Sequence, residues 1–355
     1  MRSDKHTNQP KKLKRLKFVS LGLGLLIFLT LGVVAGYYAN EVRLFLSDVT
    51  EDTPEELRDT SEQDESLSEL HPISFLIIGL DEEDMGDTRR TDTLMVATVN
   101  PEKESTKIIS IPRDTLVTLP RSNILEKINA VYPEVGMTGL IRFIEDYLTI
   151  PISFYATLNF DGLVDLVDAV GGITVDAPFD FTVQDSEETA DAIVIEEGIQ
   201  ELDGEEALGY ARMRKQDPRG DFGRQERQRE VIAAVVDELV SINSVTNFTS
   251  ILDAIRPNLQ TNLSGQQMMT IAANYRPAAN TIESVVLSGE ASYEYIERYN
   301  SQLYVWNPFD ESLEEARSTL REHLELDSET DEEDFEDPDE LLEDDALEDP
   351  DELLE

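Results

Sequence analysis

Hydrophobic positions along the chain keep two different periods. Between residues 73 and 114 they come as short runs, ISFLIIGLD (73–81), DTLMVATVN (92–100) and TKIISIPRD (106–114), with PEKES between the last two. Runs this short and apolar, set between turn residues, predict buried strands of a central sheet. ISFYATLNF (152–160) alternates as a strand does, and ITVDAP is a further strand. Elsewhere the period lengthens. NILEKINAVYPEVGMTGLIRFIEDYL predicts two helical stretches broken near Pro133 and Gly136. DGLVDLVDAVGG sets Leu163, Leu166, Val167 and Val170 at helical spacing and stops at paired glycines. DGEEALGYA predicts a short helix starting at Asp203. RQERQREVIAAVVDELV predicts an amphipathic helix with Val231, Val235 and Leu239 on one face. Beyond residue 245 the pattern continues as helices, with one strand at ESVVLSG. Strands alternating with helices give an α/β class: a layered α-β-α domain with a mostly β core flanked by helices. No internal repeat is visible within it.

The ends of the chain follow other rules. Residues 18–39, FVSLGLGLLIFLTLGVVAGYYA, form an uncharged run of 22 residues. It follows Arg2, Lys5, Lys11, Lys12, Lys14, Arg15 and Lys17, against the single acid Asp4. That pattern predicts one transmembrane helix with its N-terminus in the cytoplasm. The competing reading is a cleaved signal peptide, but its apolar core should be about 7–15 residues long, and AGYYANE is a poor cleavage site. Residues 47–70 carry ten acids and one base and predict a solvated spacer. Residues 327–355 carry 18 acids and no base, with EDPDELLE occurring at 336–343 and 348–355, which predicts a disordered tail. The expected organisation is a basic cytoplasmic segment (1–17), a membrane helix (18–39), an acidic extracytoplasmic linker (40–71), a catalytic domain (72–326) and the tail (327–355).

Composition narrows the chemistry. None of the 355 residues is Cys, which excludes disulfides, a thiolate nucleophile and Cys-based metal sites. The three histidines, His6, His71 and His323, lie near segment ends, so acid–base and metal chemistry falls to carboxylates. A net charge of −46 makes nucleic acid a poor partner. Against that background YARMRKQDPRGDFGRQERQRE (210–230) gathers seven Lys or Arg residues and only four acids. Either the cations neutralise acidic neighbours, with Asp217 and Asp221 as the nearest partners, or they hold an anion. Arg212 and Arg214 are two apart, so an extended segment points them the same way. Arg224 and Gln228 are four apart and share a helix face. A helix starting near Phe222 puts Arg224 in its first turn, where the dipole favours an anion. Ligands of open α/β sheets collect at the carboxyl ends of strands, where Asp81 and Asp114 fall. An antiparallel hairpin brings Asp92 beside Asp81. Asp114 reads first as a partner that holds an arginine. Lys127 and Asn129 are weaker candidates for contact with a sugar or phosphate.

Four strings, GLD…RRTDTLM, SIPRDT, KINAVYPEVG and ELDGEEALGYARMRKQDPRGDFGRQERQR, stand in this order between residues 73 and 240. Together they resemble the LytR-CpsA-Psr family of Gram-positive cell-envelope proteins. The resemblance implies a membrane-anchored phosphotransferase with an extracytoplasmic catalytic domain. Such an enzyme moves an anionic glycopolymer, of the wall teichoic acid or capsular polysaccharide type, from an undecaprenyl pyrophosphate lipid to a muramic acid hydroxyl of peptidoglycan. By the same resemblance Asp81 and Asp92 bind Mg²⁺, with Mn²⁺ as the alternative ion, and Arg90, Arg113 and Asp92 are the catalytic residues. Arg90, Arg113, Arg212, Arg214, Arg224 and Gln228 form the pyrophosphate-binding set, with Arg219 and Arg227 as its outer members. Asp92, metal-bound water and the substrate's own phosphate all stay open as the general base. The polyprenyl chain needs an apolar tunnel. The helix faces at 137–148, 163–170 and 231–239 are candidate walls, although such stripes also suit ordinary core. Two other functions compete: an envelope-associated transcriptional attenuator, which a cytoplasmic part of about 17 residues is too short to support, and a lipid pyrophosphate hydrolase using water in place of the acceptor.

Overall fold

A computed structural model describes residues 61–80, 90–185, 189–241 and 251–326. The expected membrane helix, the acidic tail and Asp81 lie outside these residues. Among the described residues, no helix is long and apolar enough to cross a membrane.

The apolar runs fold as expected into strands of one mixed sheet. β1 (Ile73–Leu80), β2 (Thr91–Asn100) and β3 (Ser105–Ser110) form an antiparallel meander. β6 (Phe154–Leu158) adds parallel to β1. Late in the chain, β11 (Leu259–Thr261) and β12 (Thr281–Val285) close the edges, in the order β11-β6-β1-β2-β3-β12. Two short ladders, β4 (Leu116–Thr118) with β5 (Leu125–Lys127) and β7 (Ile173–Ala177) with β10 (Gly198–Leu202), stand outside this sheet, as does β8 (Phe181–Val183) with β9 (Ile193–Ile195).

Both faces of the sheet are covered, which is why its central strands are apolar nearly throughout. On one face Leu76, Ile78, Leu94, Val96 and Ile109 pack under two helices, α2 (Val131–Leu148) and α7 (Asp310–His323). On the other, Met95, Ala97 and Ile108 meet Ile232 of α5 (Asp221–Ser241). A second core forms where α3 (Phe160–Val170), α4 (Gly204–Arg212) and α5 pack on β7 and β8. Local signals set these boundaries. Asn159 caps α3 through Gly162 N at 2.8 Å, and Gly171 ends it with φ of 99°. Asp203 and Glu206 form a capping box that starts α4.

Four expectations change. NILEKINA is not helical: it supplies β5 and one 3₁₀ turn, Ile128–Ala130. Helix α2 runs through Pro133, because a proline in the first turn loses no intrahelical bond, and kinks only at Gly136 (φ 70°). The folded chain already begins in the expected spacer, with α1 (Ser61–Glu69) burying Leu67 against Ile73, Phe154 and Tyr275. After residue 280 the chain is not mainly helical. β13 (Gly289–Ile296) and β14 (Ser301–Pro308) form an antiparallel hairpin, separated by α6 (Gly265–Asn274) and β12 from the rest of the late chain.

Candidate active site

One end of the main sheet gathers most of the expected residues. β1 ends where β2 begins, with Leu80 opposite Thr91, and Met95 lies opposite Ser110 at the end of β3. Gly79 is required here: a Cβ would lie 2.8 Å from the Cβ of Thr93. Asp92 therefore stands at the same sheet end as the loop that follows β3. That loop is fixed by its backbone: Ile111 N donates to Leu94 O (2.9 Å), Thr115 N to Pro112 O (2.9 Å) and Asn129 N to Arg113 O (3.3 Å). Arg113 consequently projects to Asp92, donating from Nη1 to Oδ1 at 2.5 Å.

The first turn of α5 closes over this pair. Asp92, Ser110, Arg113, Arg224, Gln225 and Gln228 line one narrow cleft. Arg224 Nη2 lies 2.6 Å from Asp221 Oδ1, and Arg214 Nε lies 3.9 Å from the same oxygen. Arg224 is a buried guanidinium, and its Nε has no hydrogen-bond partner among the described residues. Its pKa is lowered by burial, with the charge of Arg113 and then of Arg214 working the same way against the pull of Asp221 and Asp92. Arg113 is also partly buried, which works against its charge, yet Asp92 holds its pKa above the ordinary value. Two guanidiniums that disfavour one another across a cleft are stabilised by an anion between them.

Arg212 does not lie in an extended segment with Arg214; it is the last residue of α4. Its guanidinium sits 4.5 Å over the ring of Phe160, at the start of α3. Arg212 and Arg214 line a groove of about 620 Å³ together with Val183, Leu208 and Gly209. Arg90 is exposed and donates from Nη2 to the Tyr299 hydroxyl at 2.9 Å, at the turn of the β13–β14 hairpin.

The structure sends the two outer arginines elsewhere. Arg227 is 1% exposed and its donors are consumed internally: Nε by Tyr210 O (3.0 Å), Nη1 by Asp217 Oδ2 (2.6 Å) and Nη2 by Met213 O. It fastens residues 210–217 and so positions the segment that carries Arg212 and Arg214. Burial would raise the pKa of Asp217, but bonds from Arg227 and the Arg219 backbone lower it. Gly223 makes this packing fit, since a Cβ there would lie 1.7 Å from Asp217 Oδ2. Arg219 pairs with Glu226 and borders a separate hollow of about 640 Å³ shared with Arg229 and Glu230.

Other expectations shift as well. Asp114 does not hold an arginine: its Oδ1 accepts from Lys127 Nζ at 2.7 Å, which also explains Lys127. Asn129 is buried behind the Arg113 loop. The helix faces at 137–148 and 231–239 are largely buried in the two cores, with Met137, Leu140, Ile144, Val231 and Val235 all packed. On 163–170, Val167 is buried and Leu163, Leu166 and Val170 pack against the second core. None of the three lines the groove beside Arg212. Sequence reasoning did not find the hairpin residues Tyr299 and Trp306, although SYEYI and QLYVW alternate around a turn-like ERYN.

No group of three or more His, Cys, Asp or Glu suited to a metal ion occurs among the described residues. Asp92 gives one oxygen to Arg113, and Asp81 lies outside the described residues. Mg²⁺ uses few carboxylates and keeps several waters, so Asp92 with Asp81 fits such an ion in donor chemistry.

The sequence pattern of the LytR_cpsA_psr family matches residues 43–322. A protein of Halalkalibacterium halodurans named polyisoprenyl-teichoic acid–peptidoglycan teichoic acid transferase TagU is 39% identical over 260 residues, which is 73% of this chain and 82% of that protein. The crystal structure of Bacillus subtilis TagV superposes with a TM-score of 0.64 at 34% identity, over 73% of this chain and 99% of that one. A structure described as TagT bound to LI-WTA superposes with a TM-score of 0.61 at 27% identity, over 72% of this chain and 92% of that one.

Proposed function

The chain belongs to the LytR-CpsA-Psr family, and on that premise we propose that it is a membrane-anchored glycopolymer–peptidoglycan phosphotransferase whose arginine cleft holds the donor's pyrophosphate. The observation that carries this reading is the clustering of guanidiniums at this end of the sheet. Arg113, Arg214 and Arg224 converge there around Asp92 and Asp221, and the Nε of Arg224 has no partner among the described residues. The donor is a teichoic acid-type polymer on a polyprenyl pyrophosphate, and the acceptor is a hydroxyl of peptidoglycan, in keeping with the relatives' names.

The reaction is a phosphoryl transfer. The acceptor oxygen bonds to the phosphorus that carries the polymer. The bond from that phosphorus to the bridging oxygen breaks, polyprenyl monophosphate leaves, and a phosphodiester remains. The hydroxyl proton leaves with the new bond, and Asp92, water and the substrate's own phosphate are the groups that can take it. Such transition states need positioning and charge neutralisation more than covalent assistance. Arg113 and Arg224 supply charge-assisted, geometrically fixed donors to the diphosphate. Gln228, one turn beyond Arg224, adds a neutral donor to the same cleft. Arg212 and Arg214 line a separate groove, with Arg214 beside Asp221, and Arg90 is bonded to Tyr299. Asp92 with Asp81 would hold Mg²⁺, which supplies further neutralisation of the diphosphate when bound. Residues 18–39 keep the domain at the outer membrane surface, where the lipid-linked donor lies.

The test is transfer from lipid-linked polymer to peptidoglycan by the full chain in detergent. Arg113→Ala and Arg212→Ala should remove transfer while thermal unfolding stays near that of the parent. Transfer at full rate in either variant overturns its assigned role. Polyprenyl monophosphate released equally with and without acceptor assigns the chain to hydrolysis instead.

A further inference from the structure

Tyrosine is concentrated on one element that joins the first core through Trp306. In the β13–β14 hairpin, Tyr293 pairs opposite Tyr304 and Tyr295 opposite Gln302. By the two-residue period of a strand, these four share a face with Ala291 and Trp306. The acids Glu290 and Glu294 alternate onto the other face. The tyrosine face is therefore uncharged, and it is open: Tyr293 is 67% exposed and Tyr295 55%. It is also ordered. The rings of Tyr293 and Tyr304 meet edge to face at 6.1 Å, and the Tyr295 hydroxyl donates to Asn300 Oδ1 at 2.5 Å.

This face runs into the arginine cleft. Trp306 is buried at its base and meets Phe222 at 6.1 Å, and Phe222 adjoins Asp221 in the chain. Tyr304 lies within electrostatic reach of Asp114, Asp221 and Arg214. Trp306 N donates to Asp114 O at 2.8 Å, beside Arg113.

We propose that the tyrosine face is a stacking platform for the pyranose rings of the acceptor, the N-acetylated sugar backbone of a peptidoglycan strand. This rests on the transferase reading. A pyranose presents a flat C–H face that suits the negative face of an aromatic ring, and its hydroxyls reach neutral polar groups such as Gln302 and the tyrosine hydroxyls. Alternate residues on a strand are about 6.6 Å apart, so Tyr293 and Tyr295 meet neighbouring stretches of an extended sugar chain. The donor polymer is polyanionic. The strand residues of this face carry no cation to hold it: Arg90 at Tyr299 and Arg214 near Tyr304 lie beyond its two ends, Arg298 is held by Glu126 and Glu134, and Glu290, Glu294 and Glu297 add negative charge around the hairpin. Those same acids oppose docking on anionic lipid.

The sole tryptophan, Trp306, lies under the platform and reports on it. The full chain in nanodiscs is titrated with chitotetraose, an uncharged β-linked N-acetylglucosamine tetramer. The parent should bind it with a change in Trp306 emission. Tyr293→Ala and Tyr295→Ala should each weaken binding at least about fivefold, as loss of one stacked ring predicts. Tyr293→Phe should keep it. In the transfer assay the alanine variants should raise KM for peptidoglycan by a similar factor and leave KM for the lipid-linked donor unchanged. Binding that follows this pattern in a chain with no transfer activity upholds the platform and overturns the transferase reading. Absence of chitotetraose binding in the parent, or alanine variants with unchanged acceptor KM, overturns the platform. A blue shift of Trp306 on entering nanodiscs, lost in the tyrosine variants and indifferent to chitotetraose, assigns the face to lipid and overturns it too.

Discussion

Arg224 and Arg227 are three residues apart on one helix, and the fold treats them in opposite ways. Arg227 faces the second core, with every donor group engaged by Asp217 or backbone carbonyls. Arg224 faces the cleft beside Arg113, paired with Asp221, with Asp92 also near, and its Nε unpartnered among the described residues. A buried charge is costly unless paired and hydrogen-bonded. Arg227 meets that condition within the protein. Arg224 meets it only in part, a shortfall that the proposed diphosphate would make good. The local excess of arginine is thus two populations, one that holds the loop and one left partly unpaired, to which the proposed function assigns the ligand.

The largest effect expected from this division is on folding. Arg227→Met leaves the Asp217 carboxylate buried without its main partner and should cost about 3–5 kcal/mol in urea unfolding. The double variant Arg227→Met/Asp217→Leu should recover most of that loss; if it does not, the pair is more than a structural tie. Next comes Arg224→Ala. It should lower transfer by about 10²–10³-fold, the scale for removing one preorganised donor. Its unfolding midpoint should stay close to the parent's, because Asp221 keeps Arg214 nearby. A loss of stability matching that of Arg227→Met would erase the distinction. Gly223→Ala should cost about 1–3 kcal/mol by crowding Asp217, and it should slow transfer only through the displaced 210–217 segment.

The smallest effect belongs to a buried group remote from both arginines. His323 bonds to Thr98 Oγ1 at 2.7 Å and to Ser105 Oγ at 3.0 Å. Burial, with Lys107 and Lys103 nearby against Glu283 and Glu325, pushes its pKa down to about 4. An unfolded histidine titrates near 6.5, so between about 6.5 and about 4 the unfolded chain takes up a proton that the folded chain refuses. Stability is therefore full above that window and falls as the pH drops through it. The fall should be about 1–3 kcal/mol, read as a declining melting temperature that His323→Gln flattens.

The contrast between the two arginines was half visible in the sequence. At about 100° per residue, positions 224 and 227 lie roughly 60° apart on the helix wheel. Arg227 aligns with Ala234, and Arg224 and Gln228 align with Val235. The wheel separates them but does not name what each one meets, since Asp217, Asp92 and Arg113 arrive from other segments. The central strands of the main sheet were legible because both faces are buried and their middle positions are mostly apolar. The Asp203 cap and the glycine pair after α3 were legible because they act locally. The β13–β14 hairpin was not: only its ends, Ile296, Val305 and Trp306, are buried, while its tyrosines stay in solvent, so the alternation of SYEYI and QLYVW marks no continuous core face. Lys127 was legible as a cation, but its partner Asp114 is set by the β4–β5 turn, a contact no periodicity encodes.

The backbone bond from Trp306 to Asp114, with the adjoining bridge between Trp306 and Thr115, welds the hairpin to the loop that carries Arg113. The span from the aromatic surface to the guanidiniums is therefore a ruler cut in main chain, indifferent to side-chain rotamers. On the proposed platform, a sugar strand lying along the hairpin would present the hydroxyl that falls at the ruler's end, so that length would choose the site of attachment before any chemistry begins.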